Sequence, residues 1–309
     1  MNVVEIADLD CIYLSYDEPQ KEEFWVKIKN MVPWARRVDG VKGSDAAHKA
    51  AAEESDTERF ILIDGDNLPN FNFFNLTLDF TDKDESFQHS QYRWKAKNVI
   101  NGLQYGNGGI SSWTKTYVKN MRTHESSDGN TTTTVDFCLD YLNGSYWSMH
   151  DCYSTTYPNY TPFQAWRAGF REGVKMCLVN GVKPNIDSFK KSVATQNLNN
   201  LTIWHNVGMD IENGEWAIYG ARLGTYLTML TEWDYNKVQD FDELLKLWDN
   251  FEHNEPKQLP DLLSDKLGLP ICMLSAEQSK FFKRHYNTDK HNLGPLVKEM
   301  DVIRKLEGW

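Results

Sequence analysis

The chain has 309 residues, enough to bury roughly 75% of its unfolded surface in one large domain or two modest ones. Its formal net charge of −11 repels a polyanion at long range, which excludes tight, non-specific DNA binding as a default. Five widely spaced cysteines with no CxxC, an opening MNVVEIADLD without a leader pattern, and no long apolar run argue against a disulfide frame, a zinc site, a secretory leader and a membrane span.

Residues 11–16 (CIYLSY) read as a strand that stops at Asp17-Glu18-Pro19. Phe24, Ile28 and Met31 recur at helical spacing, so 21–31 is expected to be a helix. A short strand over 38–41 ends near Gly43, and Ser44 is placed to cap an alanine-rich helix, SDAAHKAAAEE. Residues 59–63 (RFILI) form a third strand that runs directly into Asp64-Gly65-Asp66-Asn67. This alternation of strand and helix predicts a parallel α/β sheet, whose ligands sit at the carboxyl ends of the strands.

Further along, the alternating aromatics of 70–80 predict a strand, and the four glycines between Asn101 and Trp113 predict a loop. Residues 126–134 read as a polar turn and 135–141 as a strand. Residues 161–179 give the clearest helix. Thr161 is its cap, Pro162 takes the first helical position, and Gln164 completes a capping box. Phe163, Trp166, Phe170, Val174 and Leu178 make its apolar stripe; Arg167, Arg171 and Lys175 make a basic one, read as a solvated face. The last third is mostly helical, with Asp240 and Glu243 capping DELLKLWDNF and a final helix at about 296–307. The expected division is 1–230 and a helical extension, 231–309.

Asp64 and Asp66 are two carboxylates two residues apart, just past a buried strand, so both can face one point. Hard cations such as Mn2+ or Mg2+ prefer carboxylate oxygens and leave positions for phosphate oxygens. In Tyr105-Gly106-Asn107-Gly108-Gly109-Ile110 the pair Gly108 and Gly109 lets backbone approach a hydroxyl or phosphate without a Cβ in the way. Asp136, Asp140 and Asp151 are candidates for a base that takes a hydroxyl proton. Lys42 and Lys49 flank the alanine-rich helix and could neutralise phosphate, while Asp45 and His48 could contact a base or ribose. No Walker loop or GxSxG is present, which removes P-loop and serine-hydrolase readings.

Over residues 8–70 the chain resembles the GT-A fold of glycosyltransferases, a Rossmann-like nucleotide-diphospho-sugar transferase fold. The segment Ile12-Tyr13-Leu14-Ser15-Tyr16-Asp17-Glu18 matches its nucleotide-binding strand and loop, and Asp64-Gly65-Asp66 its DxD motif. More narrowly, GSDAAHKAAAEESDTERFILIDGDN, YGNGGISSWTK and FQAWRAGFREGVKM look like glycosyltransferase-like proteins of tailed bacteriophages, some of which are thought to glycosylate hydroxymethylcytosine in phage DNA.

The resemblance implies an α/β GT-A fold with a mostly helical C-terminal part and a UDP-sugar donor held near Tyr13, Ser15 and Asp17. It implies Mn2+ or Mg2+ at Asp64 and Asp66 with a late imidazole, His205, as third ligand. Modified DNA is the implied acceptor and the host cytoplasm the implied location. Two rival readings stand beside it. One is a GT-A enzyme acting on a glycan, protein or small molecule, which suits the acidic charge better. The other is a nucleotide-binding protein that transfers no sugar.

Overall fold

The computed structural model describes residues 3–121, 146–250, 256–272 and 274–286. They fall into two compact units. The first takes in 3–98, 104–121 and 146–157; the second takes in 99–103 and the described residues from 158 onward. Compactness thus divides the chain between 157 and 158, whereas the sequence reading divided it at 230.

In chain order the first unit has β1 (Val3–Glu5), β2 (Asp10–Ser15), α1 (Lys21–Met31), β3 (Arg36–Asp39), α2 (Ser44–Glu54), β4 (Arg59–Asp64) and β5 (Asn67–Pro69). Then follow β6 (Thr77–Asp79), α3 (Glu85–His89), β7 (Gln91–Asn98), β8 (Gln104–Thr114), α4 (Lys115–Asn120) and β9 (Tyr146–Thr156). β1 and β6 pair with each other, and the remaining strands form one sheet of seven in the order β3-β2-β4-β8-β7-β9-β5. The β3-β2-β4 portion is parallel, as the sequence alternation predicts. β8 then runs antiparallel to both β4 and β7, so the sheet as a whole is mixed.

The parallel portion forms because its strands are buried on both faces. Phe60, Ile61, Leu62 and Ile63 of β4 are all at most 1% exposed, each contributing roughly 1.5–3 kcal/mol on burial. On one side Cys11, Tyr13, Ile61 and Ile63 pack with Phe24 and Ile28 of α1. On the other, Ile12, Phe60 and Leu62 pack with Ala51 and Ala52 of α2. The small alanine side chains let this helix lie close to the sheet. Its cap differs from the expectation: Ser44 is the first helical residue, and Gly43, at φ 93°, holds the N-cap position without a side-chain bond.

Two elements depart from the sequence reading. The stretch 70–80 is a 3-10 turn over Phe71–Asn75 followed by β6, because the Asn70 side chain accepts the Asn72 N–H and starts a turn. The glycine-rich stretch 101–113 lies largely in β8. Between the pairs Trp94↔Ile110 and Ala96↔Tyr105, β7 advances past Lys95 alone while β8 advances past 106–109. The glycines therefore form a wide bulge within a strand that is paired on both sides.

The second unit holds α5 (Pro162–Lys175), α6 (Phe189–Ser192), α7 (Thr195–Asn206), α8 (Gly214–Leu230), α9 (Phe241–Asn250), α10 (Leu259–Leu267) and α11 (Ala276–His285). Thr161 caps α5 as expected, accepting the Gln164 N–H at 3.1 Å. The Gln164 side chain accepts from Tyr160 N–H rather than that of Thr161, so the reciprocal half of the box sits one residue upstream. α5 and α8 cross so closely that a Cβ on Gly169 or Gly220 would overlap the backbone carbonyl of the facing helix. The basic stripe is not simply solvated. Arg167 and Arg171 lie 4.6 and 5.1 Å from the centre of the Phe241 ring, and Lys175 pairs with Glu172. Asp240 accepts the N–H groups of Asp242 and Glu243, as its expected capping role requires. The segments 126–134, 135–141 and 296–307 lie outside the described residues. No helix among the described residues is long and apolar enough to cross a membrane.

Candidate functional site

The acid pair stands at the carboxyl end of β4, beside the end of β2, with Leu14 opposite Asp64. Two contacts fix the turn between the acids. Tyr13, fully buried on β2, donates its hydroxyl to the Gly65 carbonyl at 2.7 Å. Glu18, from the loop after β2, accepts the Tyr16 N–H at 2.7 Å. Its carboxylate stands over Gly65, where a Cβ would come within 2.5 Å of it. A side chain at Gly65 would displace the Glu18 carboxylate from this position.

Asp66 is held at three points. Its Oδ2 accepts the Thr156 hydroxyl at 2.9 Å, its Oδ1 accepts the Asn67 amide at 2.9 Å, and its carbonyl accepts the Tyr157 N–H at 2.8 Å. The register continues this anchoring across the sheet margin, with Asn67 opposite Thr156 and Thr156 opposite Asn98. All three are at most 5% exposed. The Asn67 amide oxygen is buried with no hydrogen-bond partner. Its side chain packs onto Gly109, where a Cβ would overlap it. Gly109 is thus glycine to admit Asn67, and it lies in β8 and not in a loop. Gly108 lies in the same bulge of β8.

The electrostatics set Asp64 apart from an ordinary carboxylate. It keeps some solvent access, yet protein surrounds the carboxyl itself. Desolvation, then the like charge of Asp66, push its pKa up to about 8 against the opposing pull of Arg93. The register places Arg93 and Leu62 both opposite Ser111, so Arg93 shares the face on which Leu62, and two residues later Asp64, project. Glu18 is likewise shifted upward, by burial first and by Asp66 and Asp17 after it.

Several other expected ligands have different work. Ser15 is buried, donating to Asp39 at 2.7 Å and accepting from Arg37 at 3.0 Å. Tyr13 and Ser15 are thus engaged with Gly65, Asp39 and Arg37. Asp17 is exposed on the loop. Asp45 and Lys49 pair with each other one turn apart on α2, and the His48 ring packs edge-on against Trp113.

His205 is corrected outright as a metal ligand. It is 0% exposed on α7, with Nε2 2.9 Å from the Thr225 hydroxyl, which itself donates to the Gly173 carbonyl. Burial drives its pKa down to about 3. It is a neutral core histidine of the second unit. Among the described residues, no three His, Cys, Asp or Glu side chains converge as a complete metal site.

Asp151 is exposed on β9, five residues before Thr156. Five residues span at most about 16 Å along a strand, and the register shifts of β9 against β7 between Ser148 and Ser154 shorten that; at Asp66 the β9 residue in contact is Thr156. It lines an open groove of about 620 Å³ with Leu68, Pro69, Asn70, Lys97, Gln104, Cys152, Tyr153, Ser154, Thr155 and Tyr157. Asp136 and Asp140 lie outside the described residues. Thr156, Asn67 and Arg93 were not singled out from sequence. Only Asn67, adjacent to Asp66, carried a local signal.

Two carboxylates, one fixed in orientation and one desolvated, form an oxygen donor pair that suits a hard cation. Mg2+ in particular is commonly held by one or two carboxylates plus phosphate oxygens and water, so an incomplete protein sphere fits. No protein-family model matches the chain, and no curated protein matches it. Among solved structures, it is similar to a glycosyltransferase involved in the glycosylation of the major capsid of PBCV-1. Identity is 13%, coverage 48% of this chain and 92% of that one, and the TM-score 0.29. HddC from Yersinia pseudotuberculosis aligns at 15% identity over 44% of this chain and 69% of that one, with a TM-score of 0.26. Superpositions this loose carry no weight on the chemistry, for which the geometry of the site is the basis.

Proposed function

We propose that the chain is a GT-A-type glycosyltransferase that moves a sugar, glucose or arabinose, from a UDP-sugar with the help of Mn2+ or Mg2+. The observation that carries this reading is the Asp64-Gly65-Asp66 turn at the carboxyl edge of the sheet. Its two acids are positioned by Tyr13, Glu18, Asn67 and Thr156. When bound, the cation would supply charge neutralisation for the departing nucleoside diphosphate. Asp64 and Asp66 would hold it, and Thr156 and Asn67 keep Asp66 in one orientation without reorganisation. The loop after β2 reaches back to the acid pair through Glu18, and its exposed residues Tyr16 and Asp17 offer contacts for the uridine.

For the acceptor, the resemblance to phage glycosyltransferases supports hydroxymethylcytosine in DNA. A target inside a duplex would have to be flipped out to reach the donor. The net charge of −11 favours the second reading, a glycan, protein or small-molecule acceptor. Incubation with labelled UDP-glucose and UDP-arabinose tests both. Label entering DNA that contains hydroxymethylcytosine, but not plain DNA, supports the first; label entering a glycan or peptide alone supports the second. Absence of donor turnover with every acceptor and either cation leaves only a nucleotide-binding protein.

A further inference from the structure

The first unit carries a concave surface that the acid pair does not use. The groove follows the sheet margin, where β5, β9, β7 and β8 contribute neighbouring residues. The register sets Leu68, Thr155, Lys97 and Gln104 in one row, each opposite the next, across those four strands. Residues directly opposite one another share a face. Asp151 and Tyr153 extend the wall along β9.

The chemistry of this wall is specific. Lys97 and Asp151 are exposed, and Gln104 and Thr155 partly so. Among the described residues none of these four spends its side-chain polar groups on a hydrogen bond or ion pair. One cation and one anion cancel, leaving donors and acceptors of both kinds and no excess charge. Tyr153 is partly exposed and steadied from behind by Phe73, with ring centres 5.9 Å apart. It therefore presents a fixed aromatic surface at low entropic cost.

A nucleic-acid strand needs several cations to meet its phosphates, and here a single lysine stands against an aspartate. A chain of neutral sugars needs what the wall has: groups that both donate to and accept from hydroxyls, and an apolar ring for the C–H faces. The groove also begins at Leu68, two residues beyond Asp66, so a chain lying in it can bring one end toward the acid pair.

We infer that this groove holds an uncharged oligosaccharide as the acceptor of the transfer, an inference that rests on the glycosyltransferase reading for the acceptor role but not for the binding itself. The test is calorimetry of the full chain against a panel of neutral oligosaccharides built from glucose, galactose, mannose, N-acetylglucosamine and arabinose. It is run in chelator and without donor, so that the acid pair plays no part. At least one oligosaccharide binds, with an affinity that barely changes between low and high salt. Lys97→Ala and Gln104→Ala each weaken it about threefold to tenfold, the loss of one hydrogen bond.

The inference is overturned if no neutral oligosaccharide binds or if both substitutions leave its affinity unchanged. It is equally overturned if a hydroxymethylcytosine oligonucleotide occupies the groove with steep salt dependence. Donor hydrolysis is measured separately. Its presence without oligosaccharide binding removes the groove and keeps the transferase; binding without any donor turnover removes the transferase and with it the acceptor role.

Discussion

Thr156 donates its hydroxyl to Asp66 across 90 residues of sequence, at 2.9 Å. The bond joins the last residue of β9 to the second acid of the motif and fixes which way that carboxylate faces. A flexible Asp66 would have to be ordered each time a cation bound. Thr156→Val keeps the shape and removes the donor. It is expected to raise the Mn2+ concentration giving half-maximal donor turnover by about tenfold or more, since a hydrogen bond to a charged group contributes about 1.5–3 kcal/mol. Thr156→Ser should restore it. Identical metal titrations for wild type and the Val variant would show that the bond orients nothing.

Gly65 and Glu18 compete for one volume. Gly65→Ala drives a methyl group into the Glu18 carboxylate, which must swing aside and give up its bond to the Tyr16 N–H, a cost of about 0.5–1.5 kcal/mol. Because φ at Gly65 is not positive, the loss is steric and not conformational. Adding Glu18→Ala to Gly65→Ala should therefore cost little further stability, as measured by urea unfolding of both single variants and the double. Additive losses would mean that the two positions do not share the space.

The acid pair itself is tested by charge removal. Asp64→Asn and Asp66→Asn should each lower donor turnover at least about tenfold, since the leaving diphosphate then departs with less compensation. Asp64→Asn should keep the thermal stability of wild type to within a few degrees, whereas Asp66→Asn should lose more, because the Asp66 carboxylate accepts from Thr156 and Asn67. Full turnover in excess chelator would sink the metal reading whatever the variants do.

Much of the first 64 residues was legible because β2 and β4 are continuous apolar runs and α1 shows helical spacing. β3, Arg36–Asp39, lies two residues earlier than expected because its residues Arg-Arg-Val-Asp carry little apolar pattern, and β1 gave no signal. The structure ends β4 at Asp64, one residue beyond the apolar run. The rest required partners distant in sequence. The glycines of 106–109 predicted a loop by propensity, but β7 pairs with both flanks of that stretch and β4 with the later one, which makes it a bulged strand. Tyr13 and Ser15 sat in the expected nucleotide strand, yet their side chains point to Gly65 and Asp39. Thr156 had no signal at all, since its role depends on β9 pairing with β5.

His205 gives the clearest contrast between pattern and packing. A late histidine beside Trp204 invited a metal role, but α8 covers it, and Thr225 takes its Nε2. Two outcomes separate the roles. His205→Ala should leave the metal requirement of donor turnover unchanged, while the cavity and the lost bond to Thr225 cost about 2–4 kcal/mol of stability. The second outcome is a pH dependence. Folded His205 titrates near 3, and an unfolded histidine near 6.5. Between these values the unfolded state binds the extra proton, so this group's contribution is complete above about pH 6.5 and declines as pH falls toward 3. Urea unfolding from pH 7 to pH 5 should therefore show wild type losing stability with a steeper slope than a His205→Gln variant, by up to about 1.4 kcal/mol per pH unit. Equal slopes, together with a raised metal requirement in the Ala variant, would return His205 to the metal and remove it from the core.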